Sequence, residues 1–221
     1  MKDSQARELD ASQRMRAFVG SRPSDFPSGS HRAELSEALN RAITQVEQQA
    51  AKQVAATLDR QESAEEKKVA INSLVKQLRA ISQTARSLNQ QFPGLADQFK
   101  MPRDSNQSAL NYGRAYIEVA TPIASRFTKR DLPDTFLTDL QSTIDSVVAS
   151  DTRMANALAN QTAATAALTE AFKQLRAIQS ELDASVRNFY RNDPASLAAW
   201  NSARRVERAP KKASKKSGSP P

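Results

Sequence analysis

The 221-residue chain has no cysteine, one histidine, five glycines, and aromatics at only 5% of its residues. Without cysteine there is no disulfide, no thiolate metal ligand and no cysteine nucleophile. The single histidine, His31, is too few for the paired Glu-x-x-His motifs of carboxylate-bridged dimetal bundles. It also leaves histidine-based triads one candidate, beside a helix start, where a solvated or capping role is expected. No Gly-x-x-x-x-Gly-Lys or Gly-x-Gly-x-x-Gly occurs, so the loops that cradle phosphates are missing. No stretch approaches the roughly 20 apolar residues of a membrane span. The first twenty residues mix charged and apolar side chains where a signal peptide would be continuously apolar. The expectation is a soluble cytoplasmic protein that is not an enzyme and carries no cofactor or metal.

What is present favours helices. Ala, Gln, Ser, Arg, Leu and Lys dominate a chain that is 39% hydrophobic, a palette suited to long helices packed by Leu and Ala. The net charge is +8. From Arg204 to Pro221 seven basic residues stand against Glu207, giving 7 − 1 = +6 and leaving 8 − 6 = +2 for the rest. The basic character therefore belongs mainly to a tail, which has nothing to bury and is expected to be disordered over 208–221. Its Lys211, Lys212, Lys215 and Lys216 are candidate nucleic-acid contacts of the kind that neutralise phosphates without reading sequence. No leucine or aromatic accompanies these charges, which argues against a membrane surface.

One stretch occurs twice. Lys76-Gln77-Leu78-Arg79-Ala80-Ile81 returns as Lys173-Gln174-Leu175-Arg176-Ala177-Ile178. The same offset pairs Ile71 with Leu168, Leu74 with Ala171, Ala85 with Leu182 and Phe92 with Phe189, while Leu88 meets Ser185. Advancing by three and four residues alternately, this row has the a/d spacing of a coiled-coil seam. It predicts an internal repeat, with a helix buried along one side in each half.

Taken in order, Gln5 to Val19 reads as a short amphipathic helix with Leu9, Met15, Phe18 and Val19 as its contacts. The Pro- and Gly-rich segment from Gly20 to Ser30 then forms a loop. Ser30 is placed to cap a first arm whose seam is Leu35, Leu39, Ile43, Val46, Ala50, Val54 and Leu58. Ser63-Ala64-Glu65-Glu66 has the capping-box pattern, and Asn160 occupies the equivalent place in the other half. These caps predict a hairpin turn near Asp59 to Glu62, although the lack of Gly and Pro from Leu58 to Ile71 also permits one helix of about 60 residues, roughly 90 Å long. The second arm ends at Phe92-Pro93-Gly94, with one further turn over Leu95 to Phe99. A third segment starts at Ser105 or Asn106 and breaks or kinks at Pro122. Pro133 opens the second hairpin, with seam residues Leu137, Leu140, Ile144, Val147, Met154 and Leu158, and with Asp151 as a carboxylate that needs a partner from another helix. A last short helix after Asp193-Pro194 carries Trp200. Phe99 and Trp200 read as aromatics folded over the bundle ends.

Four arginines remain as candidate anion or partner contacts. Arg79 and Arg176 are equivalent positions in the repeat, with Arg86 about two turns beyond the first and Arg187 about three turns beyond the second. Surface arginines with packed stems are the alternative.

Several of these segments together resemble a family of bacterial all-helical proteins to which no activity is attached. They are Phe26-Pro27-Ser28-Gly29-Ser30, Leu78-Arg79-Ala80-Ile81 with Thr84-Ala85-Arg86, and Pro93-Gly94-Leu95 with Phe99. Leu132-Pro133 with Phe136-Leu137, Arg187-Asn188 with Tyr190, Asp193-Pro194, Leu197-Ala198-Ala199-Trp200 and Val206-Glu207-Arg208 complete them. The resemblance implies a bacterial, cytoplasmic protein and supplies no site. The expected architecture is an antiparallel up-and-down bundle of two similar hairpins, with an N-terminal helix and a third long helix between them. It forms one domain over 1–207, duplicated over about 31–100 and 131–207, followed by the tail. The expected function is an interaction or structural module with an unknown protein partner or a second copy; the alternative is a nucleic-acid-associated protein acting through its tail.

Overall fold

The computed structural model describes residues 1–101 and 106–207, and every regular element among them is helical. In chain order these are α1 (Asp3–Gly20), α2 (His31–Leu88), α3 (Leu95–Gln98), α4 (Asn106–Ala120), α5 (Ala124–Thr128), α6 (Phe136–Phe189) and α7 (Pro194–Ala203), with single 3₁₀ turns at Pro23–Asp25 and Thr121–Ile123. Together they make an all-α bundle. The Ser105 start, and the tail with Lys211, Lys212, Lys215 and Lys216, lie outside the described residues.

The boundaries follow local chemistry. The Ser30 hydroxyl accepts from the Ala33 amide at 3.2 Å and so caps α2. After α2 the chain turns through Gly94 at φ +87°, a left-handed conformation that glycine adopts without strain. Pro122 cannot donate to a helical ladder, and α4 gives way there to the 3₁₀ turn before α5. Asp193 accepts from the Ser196 amide at 3.1 Å, with Pro194 preset for the first turn of α7.

The expected hairpin turns are not formed. α2 runs unbroken for 58 residues and α6 for 54, so Asp59 to Glu62 and Asn160 are helix interior. Ser63 is buried within α2, and its hydroxyl has no hydrogen-bond partner among the described residues. Glu66, expected to close the cap, instead meets Arg153 of α6 at 2.7 Å. A capping box contributes only about 1 kcal/mol, and it ends a helix where the chain on either side has reason to turn. Here neither Gly nor Pro interrupts the run, and partners from α6 are aligned along it.

Two compact units divide the chain: unit 1 takes Met1–Ala55 and the chain from Thr162 onward, and unit 2 takes Ala56–Gln161. Because α2 and α6 each contribute to both, the units cut across the sequence halves 31–100 and 131–207. In unit 1, α1, α7 and the adjoining parts of α2 and α6 enclose a core that includes Met15, Phe18, Leu39, Ile43, Phe172, Leu175, Leu182 and Trp200. In unit 2, α3, α4, α5 and the remaining parts of α2 and α6 enclose Leu74, Leu78, Ile81, Phe99, Tyr116, Phe127, Leu140 and Ile144. Gly113 lets α4 approach closely, since a Cβ there would stand 3.0 Å from Ile144 Cδ1 and 3.4 Å from Leu74 Cδ1.

The two long helices pair antiparallel within unit 2. Thr57, Lys67 and Gln77 of α2 meet Gln161, Asp151 and Thr143 of α6, so the numbering rises along one helix and falls along the other. The Lys67–Asp151 contact, at 2.7 Å, supplies the partner that Asp151 requires.

The apolar seam does not continue through this stretch. Between Glu47 and Ser73 the only buried residue of α2 is Ser63, and between Val148 and Ala167 the only buried residue of α6 is Ala157. Val54 and Leu58, expected on the seam, are 55% and 60% exposed, and Leu158 is 47% exposed. In unit 1 the Met1 amino group bonds Gln53 at 2.7 Å, so α1 begins level with that residue and covers only what precedes it on α2.

Candidate interaction surface

The four candidate arginines separate by unit. Arg176 and Arg187 lie in unit 1, and both are engaged with carboxylates. Arg176 donates to both oxygens of Glu8, at 2.6 and 2.9 Å, a bidentate geometry that ties α6 to α1. Arg187 donates through Nε to both Asp183 oxygens, at 3.0 and 3.1 Å, and through Nη2 to Asn201 of α7. Asp183 also accepts from Trp200 Nε1 at 2.8 Å and from Arg204 at 2.9 Å. Sequence periodicity cannot find this cluster, because its members come from two helices and the following residue. Arg79 and Arg86 lie on the exposed side of α2 in unit 2, and neither has an ion-pair partner among the described residues.

The aromatic ends are core caps. Phe99 and Trp200 are fully buried, Phe99 against Tyr116 and Phe127, and Trp200 against Phe18. Phe92 and Phe189 each carry a guanidinium 3.7 Å from the ring centroid, from Arg126 and Arg32 respectively.

Two of the three tyrosines are buried and perturbed. Burial pushes the Tyr116 phenol up to about 12, with the Ser82 hydroxyl partly opposing. Burial also raises Tyr190 to about 12, reinforced by its 2.6 Å hydrogen bond to Asp25. Both folded-state values lie above the ordinary value of 10, so the stabilisation is complete below pH 10 and is lost as pH rises from about 10 through 12. Alkaline titration followed at 295 nm is expected to show two tyrosines ionising near pH 12, with the melting temperature falling over the same interval. Ionisation of Tyr116 and Tyr190 near 10 in the folded protein would contradict this burial.

No group of His, Asp or Glu among the described residues is arranged to hold a metal ion. No described helix is long and apolar enough to cross a membrane.

The feature that remains unaccounted for is an open groove on unit 2. Its larger part, about 550 Å³, lies between α2 and α6 and is lined by Glu62, Glu65, Glu66, Val69, Ala70, Ser73, Thr143 and Ser146. From Ser73 a second hollow of about 330 Å³ continues past Lys76, Gln77 and Ala80 toward Leu132 and Phe136. Val69 is 66% exposed here. Leu74, which faces the core, sits about 140° further round the helix than Val69, so the groove lies on the outer side of α2. Apart from Glu62, Glu65 and Glu66, the larger part is walled by Val69, Ala70, Ser73, Thr143 and Ser146, short side chains that leave room for a neighbouring helix at the usual distance of about 8–10 Å between axes.

No protein family, curated protein or solved structure matches the chain.

Proposed function

We propose that the protein is a non-enzymatic helical scaffold that docks another helix in the open α2–α6 groove of unit 2. The observation that carries this reading is Val69, 66% exposed in the lining of a groove beside Ala70, Ser73, Thr143 and Ser146, with Leu58, 60% exposed, about three turns earlier on the same face of α2. Exposed apolar residues in such a setting lose water when a helix covers them, whereas isolated ones elsewhere need no explanation. A photo-crosslinking amino acid at Val69, expressed in the source cell, is expected to give an adduct. The same residue at exposed Lys173 of unit 1 is expected to give none. Absence of any Val69 adduct would overturn the docking reading.

This reading treats the two units as products of one duplicated helical segment. Support comes from the repeated hexapeptide, from the stacked guanidinium on Phe92 and on Phe189, and from Phe99 and Trp200 capping the two cores.

A second reading rests on the uninterrupted basic charge after Glu207, from Arg208, Lys211, Lys212, Lys215 and Lys216: the tail holds nucleic-acid phosphates through its four lysines. The informative truncation is after Glu207, because Arg204 pairs with Asp183 and the Arg205 carbonyl accepts from Arg14, so both belong to the fold. If the tail acts this way, duplex binding should be present in the full chain, weaken steeply with salt, and disappear on truncation. Equal binding by the two proteins would exclude it.

A further inference from the structure

We propose that the occupant of the groove is a second copy of this chain, with α2 lying antiparallel against α2 across a two-fold axis at Val69. The proposal rests on the docking reading and adds the identity and register of the partner.

The order of side chains on the outer face of α2 supports this pairing. Leu58, Glu62, Glu65, Val69, Ser73, Lys76 and Ala80 recur at three- and four-residue steps, and all are exposed. On this face Glu62 and Glu65 stand on the N-terminal side of Val69 and Lys76 on the C-terminal side, while Lys67 and Lys68, just before Val69, are paired with Asp151 of α6 and with Glu65. An antiparallel pair centred on Val69 sets Glu62 of each copy against Lys76 of the other, seven residues to either side. Leu58 then falls on Ala80, Glu65 on Ser73, and the two Val69 side chains meet on the axis. A parallel pair in the same register would set Glu62 on Glu62 and Lys76 on Lys76, which like-charge repulsion disfavours. Closed two-fold pairing of this kind uses the same patch on both subunits, so a self-complementary charge order is what it requires.

The charges are available within the chain. Among the described residues Lys76 and Arg79 have no ion-pair partner within 4.0 Å. Glu62 has only a 3.9 Å contact with Arg153, and its side chain is 67% exposed. Glu65 pairs with Lys68 on its own helix at 3.3 Å. Glu62 and Lys76 cannot reach each other in one chain, because fourteen residues of helix separate them by about 21 Å. Any coupling between the two positions must therefore cross between copies.

The test uses the purified full chain. Sedimentation velocity over a concentration series is expected to show a monomer–dimer equilibrium. Glu62→Lys or Lys76→Glu places like charges together at both symmetry-related contacts, and each is expected to weaken dimerisation about tenfold. The double variant is expected to return to within about threefold of the starting affinity. A Val69→Cys variant, in a chain with no other cysteine, is expected to form a disulfide-linked dimer on mild oxidation, whereas Lys173→Cys is not. A wild-type chain that stays monomeric at all concentrations overturns the proposal, as does a double variant no better than the singles. If the pure chain is monomeric yet the Val69 crosslinker captures a different chain in cells, self-pairing fails and the docking reading stands. If neither associates, both fail.

Discussion

Trp200→Ala is expected to destabilise unit 1 by about 3–5 kcal/mol, the usual cost of truncating a fully buried aromatic. Trp200 is completely enclosed, with its ring edge-on to Phe18 at 5.2 Å between centroids. Its loss opens a cavity where α7 meets α1 and α6. It also removes the indole N–H from Asp183, but that carboxylate keeps Arg187 and Arg204, so the cavity dominates over an orphaned charge. Trp200→Phe retains much of the apolar volume and is expected to cost roughly half as much. Thermal and urea melts followed by far-UV circular dichroism measure both, since the substitution removes the only tryptophan. A loss below about 1 kcal/mol for the alanine variant would show that α7 does not close the unit 1 core.

Gly113→Leu is the corresponding test of unit 2, with an expected loss of about 3 kcal/mol or more because the added side chain has no room. Even a single Cβ would lie 3.0 Å from Ile144 Cδ1, so the remaining carbons must push α4 away from Leu74 and Ile144. Gly113→Ala distinguishes crowding from helix propensity. Alanine gains about 1 kcal/mol over glycine within a helix, and Ile144 Cδ1 is the far end of a flexible side chain. The alanine variant is therefore expected to remain within about 1 kcal/mol of the starting protein. Circular dichroism reports both variants. Trp200 fluorescence reads unit 1 and should change less in its midpoint than the circular dichroism signal in the leucine variant.

The rows Leu35–Val46, Leu74–Leu88 and Leu140–Val147 were readable from spacing, and their a/d positions are buried as that spacing implies. So were the Ser30 cap, the break at Pro122 and the capping roles of Phe99 and Trp200, since each rests on local chemistry or on a large apolar side chain at an element end. Extrapolation failed at Val54, Leu58 and Leu158, which continue the spacing but are exposed. It failed again at Ser63, where a sound capping pattern lies inside an unbroken helix. The Asp183 cluster and the outer groove were invisible to periodicity, because each is assembled from separate segments.

By itself the sequence determined the helical class, the chemistries that lack their residues, and the places where proline and glycine stop a helix. These depend on each residue's own dihedral preferences and functional groups. Only the tertiary structure decided that α2 and α6 run on past Ser63 and Asn160, and which apolar residues end up covered. A cap or a propensity difference contributes about 1 kcal/mol or less at one site, so it yields to partners aligned along a whole helix, such as Lys67 with Asp151 and Glu66 with Arg153. Burial is likewise a property of what lies opposite. Leu39 and Leu58 are the same residue type on the same helix, yet one is sealed in the unit 1 core and the other is about 60% open to solvent.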